Sequence, residues 1–277
     1  MRQIFYSPNM SLIVICILLF SLSAMAQVKH DQTLLELYYD FEQLAKDKSG
    51  NDHEGKVHGK INLKSGVVGK AGEFDGKETG IELGNQVDPK NTFMHDLTER
   101  QTFECLFKAN AVDGKRVLFN EGGSINGFTL RIEDGMLRLS VMVTDFSIAE
   151  GEFTDTNNWH HVVAIYDEGA VVIYLDGKKF AESQANFKAL AAHGNNGGLG
   201  GTFDDNSFPE PAANPGEDNV GQPVGQNFDG LIDEVYIYNR ALDSDEIAKY
   251  AGVLSVEPTG KLSTTWANIK AHSNYNR

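Results

Sequence analysis

The sequence predicts an all-β protein, an antiparallel two-sheet sandwich with a single short helix. Three observations carry this. Apolar residues recur with period two in short segments, Asp-Gly pairs fall where such segments meet, and helix chemistry is confined to one stretch near the C-terminus. Glycine is abundant at 28 residues and proline sparse at 7, as many turns between short elements require.

The N-terminal segment stands apart from the fold. Arg2 precedes an apolar run, Leu12 to Leu22, interrupted by Cys16 and Ser21 alone. The run is shorter than the ~20 apolar residues that span a bilayer. Ala24-Met25-Ala26 is an A-x-A cleavage pattern, so residues 1–26 are expected to be a signal peptide, an uncleaved anchor being the alternative. Export implies a secreted, extracellular or periplasmic protein with no stable membrane insertion after cleavage. It also leaves Cys105 as the one mature cysteine, so no internal disulfide can form.

Strands follow in order. Thr102 to Ala109 alternates, with Phe103, Cys105 and Phe107 on one face and Thr102, Glu104 and Lys108 on the other. Gly127 to Glu133, Met136 to Val143, Trp159 to Tyr166, Val171 to Leu175 and Leu231 to Tyr238 read likewise. Asp134-Gly135 and Asp176-Gly177 suit tight hairpin turns, and Asp75-Gly76 and Asp229-Gly230 repeat the pair. Asp243-Ser244-Asp245-Glu246 offers a cap with acids in the first turn of a helix that Ala251-Gly252 ends. His193 to Asn227 is a long irregular stretch rich in Gly, Asn, Asp and Pro, of a kind that is usually functional or mobile. The sandwich domain is expected over residues 27–252, with a C-terminal tail over 253–277 carrying Lys261, Trp266, Lys270 and Arg277.

Charge narrows the partners. The chain holds 39 acidic against 24 basic side chains, a formal net charge of -15. Such an excess disfavours nucleic acid and anionic membranes and is compatible with cations and neutral ligands.

Several segments together resemble the LamG-like jelly-roll domain of the concanavalin A-like lectin/glucanase superfamily. They are Tyr38-Tyr39-Asp40-Phe41-Glu42 with Asp47 to Asp52, Gly69 to Gly76, Trp159-His160-His161-Val162-Val163, Tyr174 to Lys178, and Phe228 to Leu242. The resemblance covers about Leu34 to Gly252 and implies a jelly-roll sandwich of roughly a dozen strands. It also implies carbohydrate or protein recognition, and a Ca²⁺ near the first loop and the closing strand.

The residues themselves offer a calcium site. Asp47-x-Ser49-Gly50-Asn51-Asp52 packs several oxygens into one turn, and Ca²⁺ takes six to eight of them. Asp233 falls by alternation on a face with Leu231, Val235 and Ile237, where a carboxylate needs a partner. Asp47, Asn51, Asp52 and Asp233 are therefore the candidate metal ligands. The alternative is that these groups make turn hydrogen bonds and accept from backbone N–H groups. Phe203, Asp204, Asp205 and Phe208 in the long stretch are the candidate ligand contacts, with Phe228 beside them; such rings stack on sugars or pin loops. His160 and His161 point to opposite faces and read as strand packing, while Trp159 reads as core. No paired-carboxylate strand, Gly-x-Ser-x-Gly, His-Glu-x-x-His or phosphate loop is present. The expectation is an exported, non-catalytic binding or adhesion module for a glycan or a surface protein. A glycoside hydrolase or lyase, and a purely structural surface protein, are the alternatives.

Overall fold

The computed structural model describes residues 30–84, 97–122, 126–143, 145–193, 196–202 and 227–255. The strands are β1 (Leu35–Tyr39), β2 (Lys56–His58), β3 (Asn62–Ser65), β4 (Lys70–Asp75), β5 (Gly80–Leu83), β6 (Arg100–Ala109), β7 (Lys115–Gly122) and β8 (Gly127–Glu133). They continue with β9 (Met136–Met142), β10 (Phe146–Glu152), β11 (His160–Asp167), β12 (Ala170–Leu175), β13 (Lys178–Gln184), β14 (Gly197–Leu199) and β15 (Asp229–Tyr238). One helix, α1 (Ser244–Ser255), follows among the described residues. None of these elements is a helix long and apolar enough to cross a membrane.

The strands form two antiparallel sheets, as expected of a jelly-roll sandwich. One sheet of eight runs β13-β12-β11-β6-β15-β4-β3, with β1 also paired to β15; the other, of seven, runs β10-β9-β8-β7-β14-β5-β2. Their inner faces meet in a single core. Phe103, Cys105 and Phe107 of β6 are fully buried there, as the alternation predicts. In the opposite sheet Ile81, Leu199, Phe119, Leu130, Leu139 and Ala149 form one cross-strand row facing them. Phe103 stacks on Phe119 at 4.4 Å. Burying this continuous apolar layer on both sheets is the main driving force for the fold.

Local chemistry sets the connections. Asp134 (φ 47°) and Gly135 (φ 80°) turn β8 into β9, and Asp176 (φ 50°) and Gly177 (φ 76°) turn β12 into β13. Asp243 caps α1, its Oδ1 accepting from the amides of Asp245 and Glu246 at 2.9 Å each. Glu246 Oε2 accepts in return from the Asp243 amide at 3.1 Å, completing a capping box.

Four details differ from the sequence reading. Asp229-Gly230 is not a turn but the start of β15. Gly230 (φ 152°) lies so close to β6 that a Cβ would sit 2.1 Å from the Lys108 carbonyl oxygen. Glu234, in the left-handed region at φ 50°, is the extra residue of a bulge between Asp233 and Tyr236. The bulge resets the alternation: Asp233 pairs with Leu106 on the outer face of the eight-stranded sheet, while Val235 and Ile237 enter the core. Trp159 precedes β11 and is half-buried rather than core, because His161 and Val163 face outward opposite Leu106 and Glu104. Finally, α1 continues through Gly252 to Ser255.

Candidate functional site

The first loop folds around Asp47, whose carboxylate accepts four hydrogen bonds. Oδ1 receives the amides of Tyr38 at 3.0 Å and Ser49 at 2.9 Å. Oδ2 receives the Ser49 hydroxyl at 2.7 Å and the His53 amide at 3.0 Å. Burial pushes the Asp47 carboxyl up, but the amides of Ser49, His53 and Tyr38 outweigh it and hold the group below its ordinary value. Asn51 Nδ2 donates to the carbonyls of Leu35 and Glu36 at 2.9 Å each, which ties the loop to β1. Asp52 is exposed with φ 62°.

Asp233 sits elsewhere, under the turn between β3 and β4. Its Oδ2 accepts from the amides of Val67 at 2.9 Å and Val68 at 3.0 Å. Its Oδ1 is buried with no hydrogen-bond partner. Burial, with the neighbouring Glu234 charge, pushes its carboxyl up to about 8, against the pull of the Val68 and Val67 amides. Tested as calcium ligands, these residues divide. Asp47 already accepts at both oxygens and fits poorly, and Asp233 offers one unpaired oxygen, on a carboxyl that burial favours in its protonated form, against the six to eight oxygens Ca²⁺ takes. Among the described residues no three His, Cys, Asp or Glu side chains group to hold a metal ion.

The other candidates are placed as follows. Phe203, Asp204, Asp205 and Phe208 lie outside the described residues. Phe228 is wholly buried against Phe74 and Phe107 and is no sugar platform. His160 Nδ1 lies 2.9 Å from Asp176 Oδ2, while His161 Nε2 lies 2.7 Å from Glu104 Oε1 on the outer face.

A polar row that the sequence reading missed crosses the outer side of the seven-stranded sheet, and its central members Glu82, Asn120, Thr129 and Ser140 are buried, as is the neighbouring Arg131. One register row crosses all seven strands: Lys56, Glu82, Gly198, Asn120, Thr129, Ser140 and Ile148. The next positions along β8 and β9 add Arg131 and Arg138, which pair with each other across the strands, and Glu150 beyond them. Gly198, and the mutually paired Gly122 and Gly127, place no side chains on this face.

The groups are held in fixed networks. Thr129 Oγ1 donates to Asn120 Oδ1 at 2.6 Å, and Arg131 Nη1 donates to Ser140 Oγ at 2.9 Å. Glu133 Oε2 accepts from Arg131 Nε at 3.0 Å and from Arg138 Nη1 at 2.7 Å. At the other side Glu82 accepts from Lys56 Nζ at 2.9 Å and Asn196 Nδ2 at 2.5 Å, with His58 Nε2 at 2.7 Å. Burial pushes both carboxyls up, yet Lys56, His58 and Asn196 hold Glu82, and Arg131, Lys115 and Arg138 hold Glu133, below the ordinary carboxylate value. Both are therefore ionised acceptors at neutral pH. The buried groups satisfy one another and hold the strands rigid, while Lys56, His58, Arg138 and Glu150 at the margins remain accessible for binding. The alternation Thr129-x-Arg131-x-Glu133 and Arg138-x-Ser140 was the available signal.

Solved structures share this architecture. Domain 4 of an extracellular arabinanase from Geobacillus stearothermophilus, in complex with arabinotriose, matches with TM-score 0.59 and 21% identity, over 80% of this chain and 100% of that one. The binding domain of botulinum neurotoxin DC with sialyl T matches with TM-score 0.59 and 12% identity, over 81% of this chain and 52% of that one. The same toxin domain with rat synaptotagmin II gives TM-score 0.57 and 12% identity, over 80% and 52%. The chain thus spans about half of the toxin domains, and at these identities the likeness is one of fold. No curated protein sequence matches the chain. The Laminin_G_3 family model matches residues 75–248, well over half of the sequence, from the end of β4 into α1 and including the eleven described strands β5 to β15. The chain belongs to that family, within the concanavalin A-like lectin/glucanases superfamily.

Proposed function

We propose that the chain is an exported, non-catalytic binding or adhesion module that holds a glycan or a surface protein on the outer face of its seven-stranded sheet. The observation that carries this reading is the set of accessible polar side chains at the margins of that face, Lys56 and His58 on β2 and Arg138 with Glu150 on β9 and β10, fixed around a buried polar row. Domains of this fold that were solved with arabinotriose, with sialyl T and with synaptotagmin support a binding role. Arg2, the Leu12 to Leu22 run and Ala24-Met25-Ala26 support export.

A glycosidase needs one carboxylic acid kept protonated beside a second carboxylate. On this face Glu82 and Glu133 are both held ionised by cationic neighbours, which favours binding over hydrolysis. Of the candidate ligands, Asp233 alone has a buried oxygen without a hydrogen-bond partner for the calcium that the family resemblance implies, and other oxygens would have to complete the shell.

A glycan array run with calcium and with chelator, alongside a reducing-end assay on the glycans bound, tests the reading. Specific binding without release of reducing ends is expected. Hydrolysis that one carboxylate substitution abolishes would sink it.

A further inference from the structure

A second place has the makings of a site. At one end of the sandwich, where β6 begins and β7 and β15 end, lies a cleft of about 560 Å³. Leu34 and Leu97 line it and are the most exposed large apolar side chains among the described residues, at 56% and 63%. Leu34 is also held in the left-handed region at φ 55°, a strained conformation of the kind that collects at ligand sites. Gln101 and Glu121, both almost wholly buried, lie at the inner end and hydrogen-bond each other across the two sheets. Gln101 Oε1 is buried with no hydrogen-bond partner, which is costly unless something supplies a donor.

We propose that this end cleft accepts a neutral saccharide unit and discriminates against acidic ones. The proposal rests on the reading of the chain as a binding module but places a second site away from the sheet face. Asn120 faces outward, whereas its neighbour Glu121 points inward to Gln101.

The class of ligand follows from the charges. Arg100 is committed to Asp167, at 2.9 Å, and to Glu168. Arg240 holds both oxygens of Glu246 at 2.8 Å and lies over the Tyr238 ring at 5.1 Å. Neither guanidinium is placed to receive an anion; at the inner end Glu121 is engaged by Gln101 and lies 3.4 Å from His193 Nε2, while Glu99 leaves a carboxylate at the rim. An acidic sugar therefore meets like charge. A neutral sugar brings hydroxyl donors for Gln101 at the inner end and Glu99 at the rim, and an apolar C–H face for Leu34 and Leu97.

Saturation-transfer NMR on the purified protein, with arabinose, galactose and galacturonic acid as probes, tests this. A neutral sugar should show saturable transfer, with galacturonic acid at least tenfold weaker. Leu97→Asp, at an exposed position, should abolish the transfer without changing the melting temperature. Leu34→Asp gives an independent second variant. Equal binding of galacturonic acid, or no transfer from either neutral sugar, overturns the proposal. Transfer that survives Leu97→Asp but is lost in Arg138→Ala places the sugar on the sheet face, which overturns the cleft and leaves the proposed function standing.

Discussion

Asp47 accepts hydrogen bonds from Tyr38, Ser49 and His53, so a single carboxylate sets the path of the first loop. The sequence shows that oxygens converge in Asp47 to Asp52, but not that the donors come from the loop itself. Asp47→Ala leaves three amides without their acceptor and should destabilise the fold by about 3 kcal/mol, by the scale of hydrogen bonds to charged groups. Thermal melts should show that loss equally in calcium and in chelator. Asp233→Asn, in contrast, should erase the calcium-dependent part of the melting temperature. If calcium binds, a hundredfold excess over its Kd would add about 2.7 kcal/mol to the stability of the wild type. No difference between calcium and chelator in the wild type would remove calcium from the account.

His160 gives a residue-scale pH effect. Burial pushes its imidazolium toward deprotonation, but the Asp176 and Asp155 carboxylates outweigh this and raise its pKa above the ordinary value. A raised folded-state pKa stabilises the fold fully below the unfolded value, about 6.5, and the gain is lost as pH rises through the folded value. Both Asp partners are substantially exposed, so the effect should be on the order of 1 kcal/mol. Melts of wild type and His160→Gln should converge as pH climbs above about 6.5.

At the scale of elements, the strands of the sandwich were legible because burial on one face imposes period two. Gly127 to Glu133 matches β8 in both bounds, and the Asp134-Gly135 and Asp176-Gly177 turns stand where the sequence puts them. Asp233 was read onto the wrong face because a bulge adds one residue and no local pattern announces it. Asp229-Gly230 misled for a related reason: that glycine serves close strand approach, not a turn. Gly230→Ala should therefore force β15 away from the Lys108 carbonyl and cost roughly 2–3 kcal/mol in chemical denaturation. A cost near zero would show that the strands yield easily. Asp243→Ala should cost about 1 kcal/mol through loss of the α1 cap.

At the scale of the whole molecule, the two sheets divide the work. The eight-stranded sheet carries α1 beside its outer face, with Leu242, Ile247 and Tyr250 buried. The seven-stranded sheet carries a buried polar network instead, with Lys56, Arg138 and Glu150 accessible at its margins. This division was not legible in advance, because polar residues at Thr129, Arg131 and Ser140 read in sequence as a solvated strand face, whereas the register aligns them into a buried network. The net charge of -15 is compatible with a neutral or cationic partner there. The measurement that bears most directly on the binding face is a glycan array probed with the wild type and with the Arg138→Ala, Glu150→Ala double variant. These two side chains pair with each other at 2.7 Å on the accessible part of the face, at 28% and 42% exposure. The account predicts a glycan bound by the wild type and lost at least tenfold in the double variant at unchanged melting temperature. Undiminished binding of that glycan by the double variant would contradict it.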